Sequence, residues 1–387
     1  MSSTPAPCPE RPGLPPREQW ILPARKLRDA YAVTPGAPLF RCEFGFFSLD
    51  RWYAEGLNRD ANLAELFHYD EPGNLHLNQL GWCEAAFEPA FPVKVLERRG
   101  AYELEQDHAG RHVLYFRDRR TGFMPEYVRH PVRDWTSWAE EVKWRLDPAT
   151  PGRYATLDQR MRGAQACAAR GMMISQNLIG GYMYLRSLIG PADVLMMFCE
   201  APELIHDCMR AWYDLADAVI ARHQHYVTLD EVFFAEDICY KRGSLISPAM
   251  MQEFLLPYYR QLLENIRRRQ LDPDRTLYIH IDTDGFADAV IPAYRDIGMT
   301  AMSPFEVAAG CDVTRTGRAY PDLALFGGID KRVLASTRRD IERHVRAVLP
   351  VMRERGGYIP TCDHGVPEEV SLDNYRFYRD LCVEIGG

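Results

Sequence analysis

Beyond about residue 170 the chain falls into short apolar runs, each followed by a longer amphipathic segment. The runs are Gly171–Ser175, Glu231–Ala235, Leu277–Asp282, Met299–Met302, Leu323–Phe326 and Tyr358–Thr361. Runs this short with apolar residues on both faces predict strands covered on either side. Between them, Ile205, Met209, Trp212, Ala216, Val219 and His223 recur at helical spacing from Pro202 to Val227. Ser247-Pro248 reads as an N-cap followed by proline at the first helical position. Lys331 to Arg355 and Ser371 to Ile385 complete the helices, the second opened by Ser371 as its cap.

Strand and helix in alternation predict an α/β fold with a parallel sheet under a helical layer. Two upstream runs, Leu39–Phe44 and Leu75–Leu80, bring the strands to eight. Eight such units predict a closed (β/α)8 barrel of the TIM type, which takes about 250 residues. A doubly wound sheet is the alternative, but the chain carries neither GxGxxG nor GxxxxGK[ST]. The surplus length divides into a proline-rich arm over 1–18 and an antiparallel hairpin inserted over about 92–124, turning at His108-Ala109-Gly110-Arg111. Residues 19–387 then form one barrel domain. His108 and His112 lie on the hairpin and read as surface residues.

Composition narrows the function. Lys plus Arg number 46 against 54 Asp plus Glu, a net charge of −8, which gives no general pull toward nucleic acid or an anionic membrane. No apolar run reaches the roughly 18 residues of a membrane span, and the first residues carry no apolar signal core, so the expectation is a soluble, cytoplasmic protein. The ten cysteines include no CxxC pair and read as mostly buried, reduced thiols.

Barrel enzymes draw their chemistry from the carboxyl ends of strands. Here those ends carry Glu236-Asp237, then His280, Asp282 and Asp284, then Ser303 and Glu306, then Gly327-Gly328-Ile329-Asp330, and finally Cys362-Asp363-His364. Charge crowded at successive strand ends predicts one polar pocket at the barrel mouth. With a period of two, Tyr278, His280, Asp282 and Asp284 share a face that turns inward. Two readings of that face stand side by side. One is a hydrogen-bonded set whose acids cap the following helix; the other joins His364 to them around a divalent metal, for which mixed His and carboxylate ligation suits zinc, iron or manganese. Gly180-Gly181 with Arg186 is a candidate anion contact, while His223-Gln224-His225 and Arg267-Arg268-Arg269 read as solvated. No GxSxG or HExxH motif supports nucleophilic or zincin-type hydrolysis.

The blocks EDICYKRGSLISPAMMQEFLLPYYRQL (236–262), DTDG (282–285), SPFEVAAGCDV (303–313), FGGIDKRVLA (326–335) and GGYIPTCDHGVPEEVSLDNYRFY (356–378) resemble the uroporphyrinogen decarboxylase (URO-D) superfamily, in its decarboxylase-like branch related to corrinoid and thiol methyltransferases. The resemblance implies a (β/α)8 barrel and offers two chemistries. True uroporphyrinogen decarboxylases are metal-free and hold tetrapyrrole carboxylates on an arginine-rich RQAGRY-like segment near the N-terminus; Phe40 to Phe46 does not match it. The methyltransferases bind zinc through His-x-Cys-Gly and a later Cys. Alignment on Gly285 and on Val366-Pro367 puts Asp282, Asp284 and His364 at those positions, with His280 as the alternate. The resemblance therefore implies a harder, more Lewis-acidic centre, with zinc as the first choice and iron or manganese next.

The function expected is metal-assisted methyl or group transfer, or carbon-bond cleavage, on a small polar substrate. Glu236, Asp237 and Glu306 serve as general acid or base, and Arg186, Lys241, Tyr278 and Asp330 bind substrate. A corrinoid protein is the candidate methyl donor, and a homodimer is the candidate assembly. The competing expectations are a metal-free decarboxylase of a carboxylated substrate, with Arg186 or Lys241 orienting the leaving carboxylate, and a barrel acting only as a binding subunit.

Overall fold

The computed structural model describes residues 15–118 and 125–387, so residues 1–14 of the expected arm and 119–124 of the expected hairpin lie outside the described residues. Thirteen strands are present among them. Seven form one parallel sheet: β1 (Asn74–Leu80), β6 (Met173–Ile179), β7 (Glu231–Ala235), β10 (Tyr278–Asp282), β11 (Ala301–Ser303), β12 (Ala324–Phe326) and β13 (Tyr358–Ile359), paired in that order. Every β6 and β7 residue is buried, which is what runs apolar on both faces require. β6 continues past Ser175 through Gln176 and Asn177 because both amides find partners. Gln176 donates to Leu77 O at 3.0 Å and meets His223 Nδ1 at 2.7 Å, while Asn177 meets His76 at 3.1 Å.

The eighth stave is not a laddered strand. Around the expected Leu39–Phe44 run, the sheet pairing is a single parallel bridge, Phe46 to Val366. Its backbone groups are taken elsewhere: Leu39 N donates to Gly386 O, Arg41 N to the Asp70 carboxylate, and Arg41 O accepts from Asp70 N. Side chains and loops satisfy this segment, so it runs as unladdered chain between the β13 side of the sheet and the loop before β1. The insertion is also larger than a hairpin. β2 (Lys94–Arg99), β3 (Tyr102–Gln106), β4 (His112–Phe116) and β5 (Glu126–Arg129) form a four-stranded antiparallel meander in which the expected turn joins β3 to β4. β8 (Cys239–Tyr240) and β9 (Gly243–Ser244) make a short hairpin after β7.

The helices follow their caps. Ser247, Thr337 and Ser371 each accept a backbone hydrogen bond at a helix start, and Thr337 divides the expected 331–355 helix into Lys331–Leu334 and Arg338–Arg355. His223 departs from expectation. It sits fully buried between the Pro202–Gln224 helix and the sheet, where burial pushes its ring down to about 4, so it is a neutral core residue. Five cysteines, Cys208, Cys239, Cys311, Cys362 and Cys382, are buried thiols, as expected of small core side chains.

One helix lies outside the expected series, although Ala24, Leu27, Ala30 and Tyr31 recur at helical spacing. α1 (Leu22–Tyr31) plugs the amino-terminal end of the barrel, packing Leu27, Ala30 and Tyr31 against Met173, Ala301, Ala324, Phe326 and Ile359. The alanines of β11 and β12 leave room for the tyrosine ring. Arg28 from the same helix donates to Asp230 at 2.8 Å, tying the plug to the start of β7. The plug fills the end of the barrel opposite the carboxyl ends of the strands.

Candidate active site

The register of β7, β10 and β11 sets the interior. Tyr278 pairs with Glu231, His280 with Phe233, and Asp282 with both Ala235 and Ser303. His280 therefore points into the barrel, ringed by Phe233 and Phe326 at 4.7 and 4.8 Å between centroids. Its Nδ1 meets Glu231 at 2.9 Å and the Tyr31 hydroxyl at 3.1 Å, and its Nε2 meets Ser303 Oγ at 2.9 Å. Ser303 also hydrogen-bonds the Asp282 carboxylate. Burial alone would raise Glu231, but His280 and Ser175 hold it below the ordinary carboxylate range, so it stays charged. Burial raises Asp282 despite its bond from Ser303.

Above this layer lies the mouth. His364, on the loop after β13, approaches Asp284 at 3.5 Å and lies between Phe44 and Phe47. Burial, reinforced by the charges of Asp237, Asp282 and Glu306, pushes the Asp284 carboxyl up to about 7. Burial and the nearby Lys331 lower His364, which keeps its ring neutral at that pH. Two cations face these acids: Lys331 donates to Glu306 at 2.8 Å, and Arg186 pairs with Asp237. Against the upward push of burial, Lys331 and the Gly285 amide hold Glu306 low. Asp237 adopts a left-handed φ of 43°, a conformation costly for a side-chain-bearing residue. Asp363 accepts from Val307 N at 2.8 Å and Lys331 N at 3.0 Å, locking the loops after β11 and β12 together. Gly327 permits that approach; a Cβ there would lie 1.9 Å from Pro304 O.

The mouth thus gathers Asp237, Asp282, Asp284, Glu306, Arg186 and His364. Four expected site residues stand apart. Glu236 is fully buried, accepting from Tyr182 N at 2.8 Å and from the Tyr259 hydroxyl, so it anchors the start of the Gly181–Ile189 helix and cannot touch a substrate. Asp330 caps the Lys331–Leu334 helix and pairs with Arg332. Tyr278 begins β10 at the plugged end, 5.1 Å from Tyr31. Lys241 lies in the exposed turn between β8 and β9. Reading the sequence missed Lys331, Glu231 and Tyr31; only Lys331 had a signal, as the neighbour of Asp330 in the loop after β12.

The expected metal ligands fail a test of donor geometry. Both His280 nitrogens are committed to protein partners, Asp282 is bonded to Ser303, and only Asp284 and His364 meet. No three His, Cys, Asp or Glu side chains converge as a metal-binding group among the described residues, whereas catalytic zinc centres use three protein ligands. The polar face on β10 is hydrogen-bonded, but its acids do not cap the following helix: Asp282 bonds Ser303, and Glu306 takes the Gly285 amide.

Glu236 supplies a pH-dependent signature. Burial pushes it up to about 7, whereas an unfolded glutamate titrates near about 4.3. The folded protein therefore holds this proton more tightly than the unfolded chain, so the contribution is complete below the unfolded value and is lost as pH rises toward about 7. Urea midpoints are expected to fall over that interval, and Glu236→Gln to flatten the fall; an unchanged slope in the variant assigns the dependence to other groups.

Residues 174–385 match the family profile described as uroporphyrinogen decarboxylase (URO-D). Among curated proteins, the uroporphyrinogen decarboxylase of Gloeobacter violaceus is 25% identical over 186 residues, covering 47% of this chain and 49% of that protein. That of Syntrophotalea carbinolica is 31% identical over 152 residues, covering 36% and 38%. The chain spans half or less of the length of these relatives. Among solved structures, a methyltransferase from Methanosarcina mazei superposes with a TM-score of 0.58 at 12% identity, over 94% of this chain and 98% of that one, a likeness of fold. No helix among the described residues is long and apolar enough to cross a membrane.

Proposed function

The chain belongs to the uroporphyrinogen decarboxylase (URO-D) family, and on that premise we propose that it is a barrel enzyme cleaving a carbon–carboxylate bond in a small polar substrate. The observation that carries this reading is the Asp284–His364 contact at the mouth, flanked by the cations Arg186 and Lys331. Decarboxylation needs a cation to orient the departing carboxylate and an acid to protonate the carbon left behind. Asp284, near about 7, is well matched to that second task at neutral pH. Carbon dioxide leaves with the electron pair remaining on carbon, Asp284 gives its proton to that carbon, and solvent reprotonates Asp284 from the open side. The neutral His364 ring lies 3.5 Å from Asp284 and leaves the charge of the mouth to the acids and the two cations. Among the described residues the two cations of the mouth are each paired with an acid, which suits a substrate with few carboxylates better than a polycarboxylated tetrapyrrole.

The test is a panel of small mono- and dicarboxylates incubated with the full chain in deuterated water. Release of carbon dioxide with one deuterium retained on the product carbon, unaffected by a chelator, is the expected result. Turnover that appears only with an added divalent metal, or transfer of a methyl group without loss of carbon dioxide, would replace this reading with metal-assisted group transfer.

A further inference from the structure

We propose that Glu231, His280 and Ser303 form a proton relay ending on Asp282, which relieves the charge Asp284 acquires when it gives up its proton. The inference rests on the acid role of Asp284 proposed above. Glu231 is buried at the start of β7, and three groups aim at it: the Tyr31 hydroxyl, the Ser175 hydroxyl and His280 Nδ1 at 2.9 Å. A carboxylate only accepts, so Nδ1 carries a hydrogen in every state of the ring. The chemistry is left to Nε2, 2.9 Å from Ser303 Oγ, which also bonds Asp282.

A hydroxyl has one hydrogen to give, so two arrangements fit this geometry with the same number of protons. In the first, an imidazolium Nε2–H donates to Ser303 Oγ while the serine hydroxyl donates to the Asp282 carboxylate. In the second, the Nε2 proton has moved to Oγ and the serine's own proton to Asp282. The ring is then neutral and accepts from Ser303, and the Asp282 acid donates to it. One N–H and one O–H bond break, two O–H bonds form, each electron pair stays on the atom that lost its proton, and no outside reactant is consumed.

The surroundings favour exchange between these two states alone. Glu231 stands below as counter-charge to the imidazolium, and Phe233, Phe326 and Tyr31 surround the ring edge-on. The titratable groups facing Glu231 and His280 are Tyr31, His76 on β1, two strands from β7, and Asp282; those facing Asp282 from above are His364 and Asp237. Asp282 and Asp284 repel as carboxylates, so ionisation of Asp284 favours the arrangement in which Asp282 is neutral. The relay moves positive charge toward the mouth at the moment negative charge appears there.

The experiment needs no substrate. In full-length protein labelled at histidine nitrogens and aspartate carboxyl carbons, His280 and Asp282 are assigned from His280→Gln and Asp282→Asn spectra and followed from pH 5 to 9. The expected result is a protonated Nδ1 throughout. As Asp284 ionises, His280 Nε2 moves toward the neutral ring while Asp282 moves toward its acid form, opposite to an ordinary carboxyl titration. Ser303→Thr retains this paired movement, and both Ser303→Ala and Asp284→Asn abolish it. A bare Nδ1 at any pH, an Asp282 that loses its proton in step with Asp284, or paired movement that survives in Ser303→Ala would each overturn the relay. A relay that stands without any carbon dioxide release refutes the reaction and leaves the relay intact, so the two failures are distinguishable.

Discussion

Asp284→Asn is expected to lower kcat for carbon dioxide release by at least about 100-fold, within the range that a positioned general acid contributes. Asparagine matches the aspartate in shape and still reaches His364 at the rim, but has no acidic proton to give. Binding is expected to survive, since Arg186 and Lys331 remain, so KM should change less than about threefold. A loss confined to KM is the signature of uniform binding rather than transition-state stabilisation. Turnover within about threefold of wild type removes Asp284 from the acid role and leaves the mouth as a binding surface.

The largest stability effect belongs to the opposite end of the barrel. Asp230 accepts from Arg28 at 2.8 Å, Arg275 at 3.0 Å and Ile174 N at 2.8 Å, and its side chain is 1% exposed. Asp230→Ala removes the buried counter-charge of two largely buried guanidinium groups, leaving Arg28 only the Gly171 and Met172 carbonyls, and strips the Ile174 amide of its acceptor. Breaking a buried pair from one side typically costs about 3–5 kcal/mol, and the denaturation midpoint should drop accordingly. Asp29→Ala is the contrasting case, because its partner Arg17 is 54% exposed and such pairs contribute about 1 kcal/mol or less. Equal losses in the two variants would show that burial of Asp230 does not govern the stability of the plugged end.

The mouth and the plug make opposite uses of charge. At the plug, each charge is paired in a fixed geometry and closed off from water, which holds the plug helix against β6 and β7. Around Asp284 the acids outnumber the cations, Asp237, Asp282, Asp284 and Glu306 against Arg186 and Lys331, and crowding keeps one carboxyl titrating near neutrality. Such imbalance fits the proton exchange proposed for the mouth, whereas the plug needs none.

Strand existence was written locally, because a run buried on both faces must be apolar along its length, and β7 follows its run residue for residue. Caps were equally local: Ser247 and Ser371 signal helix starts through their own side chains. That charged groups gather at the strand ends also followed from the sequence, and Asp284 and His364 meet there from positions 80 residues apart in the chain. Partnership was another matter. Whether His280 binds a metal or a carboxylate depends on Glu231 from a neighbouring strand and on Tyr31 from a helix plugging the barrel, and no periodicity encodes such pairings. Glu236 and Asp237 are adjacent in the chain yet face opposite ways, one into the helical layer and the other to Arg186, because the backbone turns left-handed at Asp237. Sequence alone determined which elements form and where polar groups emerge, since both follow from burial of local patterns. Only the tertiary structure decided which of those groups is spent on another protein atom and which remains for a substrate, because that depends on neighbours brought together by closure of the barrel.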